Sequence, residues 1–432
     1  MSETPSNVVI VVAAAALMTA VGASTGSTAA TYTKIYSFCA QANCADGEYP
    51  RNGVTIDAEG NLYGVTTAGG GEAGAGAAFA LMKKRGGYTY RQVYGFCSVG
   101  NCTGGGMPSG RLIVDVNGNL YGVTSEFGKF GGGSAYELVP NAKKTRWKLQ
   151  VLYDFCSKPS CVDGTRPNAT LTYQGAGSGT QYDGVSPLFG ISTGGKNGDG
   201  VVYQLTFVDG RTTRKERVIY NFCAQANCTD GGGPSGVIAD ANGNLFGATQ
   251  SGGANFGGVL FKMAPKTSGG FKQTVLYPFC SETNCTDGSE PLSELVFGQD
   301  GALNGTTFGG GATNNGTVFS FLPGTSEETV LYSFCEAQNC ADGTNPLTAG
   351  LAIDAGGVMF GSTVGGGANG HGVVYSLDGG TQQVLKSFCE EANCTDGSSP
   401  IDSVTLDSAG NAFGTAQTGG DNNGGVVFEI RP

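Results

Sequence analysis

A single seven-bladed β-propeller, all-β, is the fold class this sequence predicts. Three observations carry it. All 14 Cys fall into seven pairs with one spacing, Cys-x4-Cys. The first members of the pairs lie 58, 59, 67, 57, 55 and 54 residues apart, a long-period internal repeat. Each interval reads as four short runs rich in Val, Ile, Tyr and Phe, separated by Gly, Asp and Asn turns, with no helical periodicity. Four antiparallel strands repeated seven times describe a propeller, and β-helix coils are far shorter than these units.

The elements follow in order. Residues 8–20 form an apolar run too short to span a membrane, and small residues follow it. Residues 1–30 therefore read as an export signal, with cleavage near 23 or 30, although Glu3 stands where a basic residue is usual. Residues 31–432 are the propeller. Residues 331–377 show the unit: a Leu-Tyr-Ser-Phe-Cys strand, a polar loop, a Cys-Ala-Asp-Gly-x-x-Pro linker, an inner strand, a tight turn and two further strands. An Asp-x-x-Gly-Asn turn recurs at Asp57, Asp115, Asp240 and Asp407. There Asp bonds its own backbone and Gly supplies the positive φ of a hairpin. Residues 32–38 match the fourth strand of other units and residues 426–430 match the third. Their pairing closes the seventh blade and leaves no open sheet edge.

Composition narrows the function. Gly is 76 of 432 residues and charged residues are 14 %, while 9 % aromatics still suffice for a core. With a single His, a His-ligated metal site or a His-based triad has almost nothing to work with. With 24 Lys and Arg against 35 Asp and Glu, nucleic acid is not the expected partner. Apart from the signal, no segment approaches the length of a membrane span.

Seven local disulfides are predicted at the blade junctions of an exported chain: Cys39 with Cys44, Cys97 with Cys102, Cys156 with Cys161, Cys223 with Cys228, Cys280 with Cys285, Cys335 with Cys340, and Cys389 with Cys394. Each closes a six-residue loop, worth about 2 kcal/mol by chain entropy. Asn-Cys-Thr at Asn101, Asn227, Asn284 and Asn393 matches a glycan sequon, but repetition explains it more simply.

The run Gly-Asn-Leu-Tyr-Gly-Val-Thr (60–66 and 118–124), the Gly-x-Val-Phe-x-Leu type of ending and the Leu-Tyr-x-Phe-Cys linker resemble the GloVer tandem-repeat proteins of Gloeobacter and Verrucomicrobia. The resemblance covers about residues 32–430. It implies a secreted or surface-displayed bacterial protein and supplies no catalytic residues and no ligand. Gly104 in place of the linker Asp and an insertion around 175–187 depart from the pattern.

In a propeller the Cys loops and the loops between second and third strands share one face. The linker acids Asp46, Glu48, Asp163, Asp230, Asp287, Glu290, Glu336, Asp342, Glu390, Glu391 and Asp396 are predicted there. A basic arc of hairpins is predicted on the other face. The linker Asp residues fit turn caps better than a Ca²⁺ ring, and no cofactor is expected. The exceptions to the repeat are the candidate ligand residues: Tyr49, Arg51 and Arg166 in the linkers, and Glu126, Phe127, Lys129, Phe130, Lys196, Asp199, Phe256 and His371 in the Gly-rich loops. Exposed Phe suits a sugar ring or a partner's anchor. The first reading is an exported, monomeric, non-catalytic scaffold that binds extracellular carbohydrate or protein. The alternatives are a glycoside hydrolase or lyase using carboxylates on the Cys-loop face, Glu126 or Asp199 among them, and a structural envelope protein.

Overall fold

The computed structural model describes residues 30–432 apart from 72, 99, 209–212, 348 and 349, so the predicted export signal lies outside the described residues. The predicted propeller is present. There are seven antiparallel sheets, and in six of them the strands run from inner to outer in chain order. The first blade is Val54–Ile56, Leu62–Thr66, Ala77–Lys84 and Gly87–Gly95. The seventh combines Thr405–Leu406, Ala412–Ala416 and Val426–Arg431 with Thr31–Ser37 from the other end of the chain. In the third blade the inner strand is split into Thr165–Pro167 and Thr172–Tyr173, both paired with Leu188–Thr193.

One aromatic contact, repeated seven times, joins the blades. The Phe before each first Cys packs on the aromatic residue of the third strand in the following blade: Phe38 on Phe79, Phe96 on Tyr136, and so on to Phe388 on Phe428. The centroids are 4.8–5.3 Å apart. The Gly in the middle of the second strand makes room for that third-strand ring. At Gly247 a Cβ would lie 2.6 Å from Phe261 Cζ and 2.3 Å from a carbonyl oxygen. This explains why every unit carries Gly there, directly after an aromatic residue in six units and after Asn304 in the fifth.

The seven predicted disulfides form as paired in the sequence. Cys39 bonds Cys44, Cys97 bonds Cys102, Cys156 bonds Cys161, and Cys223 bonds Cys228. Cys280 bonds Cys285, Cys335 bonds Cys340, and Cys389 bonds Cys394. No described Cys is free. All fourteen Cys have left-handed φ, as does the residue before each second Cys: Asn in six loops and Ser160 in the third. Asn tolerates this conformation better than other side chains, so backbone geometry accounts for the sequon-like repeats.

The linker Asp side chains do not form the acidic surface that their charge suggested. Asp46, Asp163, Asp230, Asp287, Asp342 and Asp396 are buried. Each turns back into its Cys loop. Asp230 accepts hydrogen bonds from Tyr220 Oη (2.7 Å) and from the amides of Ala224 (2.9 Å) and Gln225 (3.1 Å). At Asp163, burial raises the carboxyl's pKa, but bonds from Ser157 and Tyr153 hold it below the usual carboxylate range. Asp230→Ala would strip all three donors of their acceptor, so a loss of about 2–4 kcal/mol is expected in denaturant unfolding. Asp230→Asn, which keeps an acceptor, should lose less.

Candidate functional site

The Cys loops and the Gly-rich loops share a face, as predicted. In all seven blades the second Cys carbonyl accepts a bond from a Gly amide of the Gly-rich loop. Cys44 accepts from Gly70 (2.9 Å), Cys161 from Gly195 (3.2 Å), Cys228 from Gly253 (3.0 Å), Cys285 from Gly311 (3.0 Å) and Cys340 from Gly367 (2.9 Å). The cysteines thus serve the face through their backbone, and none of them lines the channel chambers described below. Each Gly-rich loop also holds the next blade. Its penultimate carbonyl accepts the amide of the residue before the linker Pro: Gly424 from Tyr49, Ala75 from Met107, Gly132 from Arg166, Asp199 from Gly233, Gly257 from Glu290, Asn315 from Asn345 and His371 from Ser399. These seven pre-proline residues all have φ between 51° and 63°. Proline disfavours helical conformations in the residue before it, and a positive φ adds to the cost. The result is a rigid ring at the channel mouth whose backbone is constant and whose side chain differs in every blade.

The predicted candidates therefore converge. Tyr49 and Arg166 are ring members, and Arg51 is exposed two residues after Tyr49. Arg166 pairs with Glu126 across the junction of the second and third blades at 3.2 Å. Asp199 and His371 anchor the ring through their carbonyls, and His371 Nδ1 lies 2.8 Å from Ser398 Oγ. Each of these two residues also lies near a Cys pair. Those sulfurs are committed to disulfides and offer no thiolate to a metal. Lys196 is exposed, with its amide bonded to Asn221 Oδ1 at 2.8 Å.

The aromatic candidates stand where the fold wants other residues. Phe127 occupies the position of Gly69, Gly252, Gly310, Gly366 and Gly419 and keeps their left-handed φ, at 62°. In those blades a Cβ would lie only 2.5–2.6 Å from the second Cys carbonyl. Phe130 stands where four other blades have an Asn or Thr that bonds a carbonyl at or just before the first Cys, as Asn197 does to Phe222 O (2.8 Å). Lys129 Nζ lies 5.3 Å from the Phe130 ring centroid. Phe256, with φ 61°, stands where other blades have Gly or Asn. Phe127, Phe130 and Phe256 remain 43 %, 46 % and 69 % exposed.

Sequence reasoning missed a second group, inside the channel. Arg111 Nη2 and Glu294 Oε2 lie 3.5 Å apart, linking the second and fifth blades across the channel. Glu294 Oε1 also accepts the Thr170 amide at 2.8 Å. Asp402 Oδ1 accepts the Ser403 amide at 2.8 Å. Burial pushes the Asp402 carboxyl up to about 7; Arg111 opposes this and Glu294 adds to it. The Arg111, Thr170 and Glu294 group separates a chamber of 190 Å³ on the Cys-loop side from one of 540 Å³ beyond it. The third-blade insertion lines the far chamber through Ala176, Gly177 and Gln181, and its Gln174 and Gln181 bond the fourth and second blades.

This is a disulfide-laced propeller with a structured mouth around a divided channel. The chain belongs to the Gloeobacter/Verrucomicrobia repeat family, whose pattern matches residues 22–192 and 183–350. No curated protein matches it by sequence. Among solved structures it is similar to a puromycin hydrolase S511A mutant complexed with PGG, at 14 % identity and TM-score 0.54 over 86 % of this chain. It spans only 50 % of that protein. It is also similar to Penicillium chrysogenum α-L-arabinanase, at 14 % identity and TM-score 0.48 over 81 % of this chain and 98 % of the other. Trypanosoma rangeli sialidase gives 11 % identity and TM-score 0.42 over 81 % and 57 %. Likeness at this identity concerns the fold alone. Seven disulfides belong to an oxidising environment, and among the described residues no helix is long and apolar enough to cross a membrane.

Proposed function

We propose that this protein is an exported, non-catalytic binding module that holds carbohydrate on its Cys-loop face, at the bacterial envelope or outside the cell. One observation carries the reading: Phe127 and Phe256 are bulky residues kept in a left-handed conformation without being buried. Such strain costs about 1–2 kcal/mol per residue, and burial does not return it. A side chain kept at that cost, and turned outward, is of use to something outside the fold. Flat, exposed rings on a face whose mouth carries polar residues such as Arg166, Glu290 and Asn345 suit a sugar, whose faces are apolar and whose edges are hydroxylated.

The test is binding of the oxidised mature protein to a glycan and bacterial-polysaccharide array, with the supernatants assayed for released fragments. Selective binding without release is expected. Phe127→Gly and Phe256→Gly should each weaken binding at least several-fold and raise stability by about 1 kcal/mol, because glycine relieves the strain. Opposite signs for binding and stability are the signature. If both variants bind normally, or if fragments appear with time, the proposal fails.

A further inference from the structure

We infer that the 190 Å³ chamber at the channel mouth binds a single neutral sugar ring, the terminal residue of a chain lying across the Cys-loop face. The inference deepens the proposed glycan-binding role, rests on it, and names where that glycan ends.

The chamber has a floor. Arg111 and Glu294 meet across the channel beneath it, and Glu294 is fixed from its other oxygen by the Thr170 amide. A ligand entering from the ring meets a stop, which suits a chain end and not a chain threading through.

The chamber is also asymmetric in a molecule built from repeats. At one step of the inner strand, the seven blades in order present Gly53, Arg111, Thr170, Gly236, Glu294, Gly350 and Ser403. Charged side chains enter at two of these, and Asp402 enters one step earlier in the seventh blade. Glycines leave room for them: a Cβ on Gly53 would lie 3.2 Å from Asp402 Oδ2, and one on Gly236 would lie 3.0 Å from Glu294 Cγ. Solvation does not explain charges placed in a channel.

The unsatisfied groups define the ligand. Asn52 Nδ2 is a buried donor with no partner, and Asn52 lines this chamber with Asp402 and Gln250. Asn52 offers a donor and Asp402 an acceptor, the pair that reads a sugar hydroxyl, which both accepts and donates. Arg111 is already committed to Glu294. An acidic sugar would bring a third carboxylate beside two others without a free cation, so the site favours neutral sugars over uronic acids. At about 30 Å³ per water, the chamber holds roughly six waters, room for one ring and no more.

The test is ligand-observed NMR and calorimetry on the oxidised full propeller with methyl glycosides of neutral hexoses and pentoses, a methyl uronide and Ca²⁺. At least one neutral glycoside should bind near ~1 mM, the affinity a few hydrogen bonds supply. Asp402→Ala and Asn52→Ala should each weaken it at least tenfold. Asn168→Trp, at an exposed chamber position, should block entry with the fold unchanged by circular dichroism. Binding of Ca²⁺ alone, stronger binding of the uronide, or no neutral binding well above ~1 mM overturns the inference. Array binding that is lost in Phe127→Gly but untouched by all three chamber variants leaves the face reading standing and removes the chamber. Glycoside binding with a silent array does the reverse.

Discussion

Reducing the seven disulfides is expected to unfold the propeller, and the loop between Cys97 and Cys102 is expected to open first. Each Cys loop holds three residues other than glycine at left-handed φ, such as Cys223 (54°), Asn227 (57°) and Cys228 (52°). At about 1–2 kcal/mol each, one loop stores roughly 3–6 kcal/mol of unfavourable backbone. Two restraints oppose it: the disulfide, worth about 2 kcal/mol for a loop this short, and the buried linker Asp with its hydrogen bonds. Removing one pair by Cys223→Ser with Cys228→Ser should cost about 2–4 kcal/mol. Removing all seven exceeds the roughly 5–15 kcal/mol that separates a typical folded domain from its unfolded state.

The second blade lacks one restraint. Gly104 replaces its linker Asp, and a Cβ there would lie 2.6 Å from Leu149 Cδ2. In four other blades the position of Leu149 holds a Tyr or Gln that bonds the linker carbonyl, as Tyr90 Oη does to Asp46 O (2.7 Å). An apolar contact has replaced a hydrogen-bonded one, so of the two restraints only the disulfide is left on this loop. Graded reductant followed by alkylation and peptide mapping should label Cys97 and Cys102 before any other pair, and ahead of Asp-braced pairs such as Cys156 with Cys161 or Cys335 with Cys340. Simultaneous labelling of all seven, or a full set of free thiols with an unchanged melting temperature, would defeat the expectation.

How much of this was legible follows from how the repeat encodes it. The fold was, because Cys spacing and turn residues survive in every unit and ring closure needed only the two chain ends. The mouth was legible as a list of exceptions: Phe127 shows in sequence because the other units have Gly there. The channel was not. From the linker Pro to the turn Asp is seven residues at Pro50 and Asp57, six at Pro234 and Asp240, and eight at Pro346 and Asp354. The inner strands therefore slip out of register from unit to unit; Arg111 and Glu294 share one step of the strand, where the other units carry Gly, Thr or Ser, but Asp402 stands one step earlier. The inward turn of the linker Asp did leave a signal. A Tyr stands ten residues before it at Tyr36, Tyr153, Tyr220, Tyr277 and Tyr332, and each hydroxyl donates to that carboxylate. In the last junction Lys386 takes the place of Tyr, 2.7 Å from Asp396.

Glu328→Gln is expected to stabilise the protein at neutral pH. Glu328 occupies the position at which Gln273 and Gln382 donate to the linker carbonyls of Asp230 (3.2 Å) and Asp342 (3.0 Å). Burial, with a smaller contribution from the Asp287 carboxylate, pushes its carboxyl from 4.5 up to about 8. Its counterpart Glu216 has Lys158 at 2.8 Å; the residue matching Lys158 in this blade is Glu282. Between pH 4.5 and 8 the folded state holds a proton that the unfolded chain has released. Stability from this group is therefore complete below about pH 4.5 and is lost as pH rises through 8, at up to ~1.4 kcal/mol per unit. Gln keeps a donor and removes the titration. The variant should gain about 2–3 kcal/mol at pH 7 and little at pH 4.5, while Glu328→Ala, which loses the donor, should gain less. Melting curves at about pH 4.5, 7 and 8.5 decide it, and a gain that does not change with pH would show that Glu328 is not a buried acid.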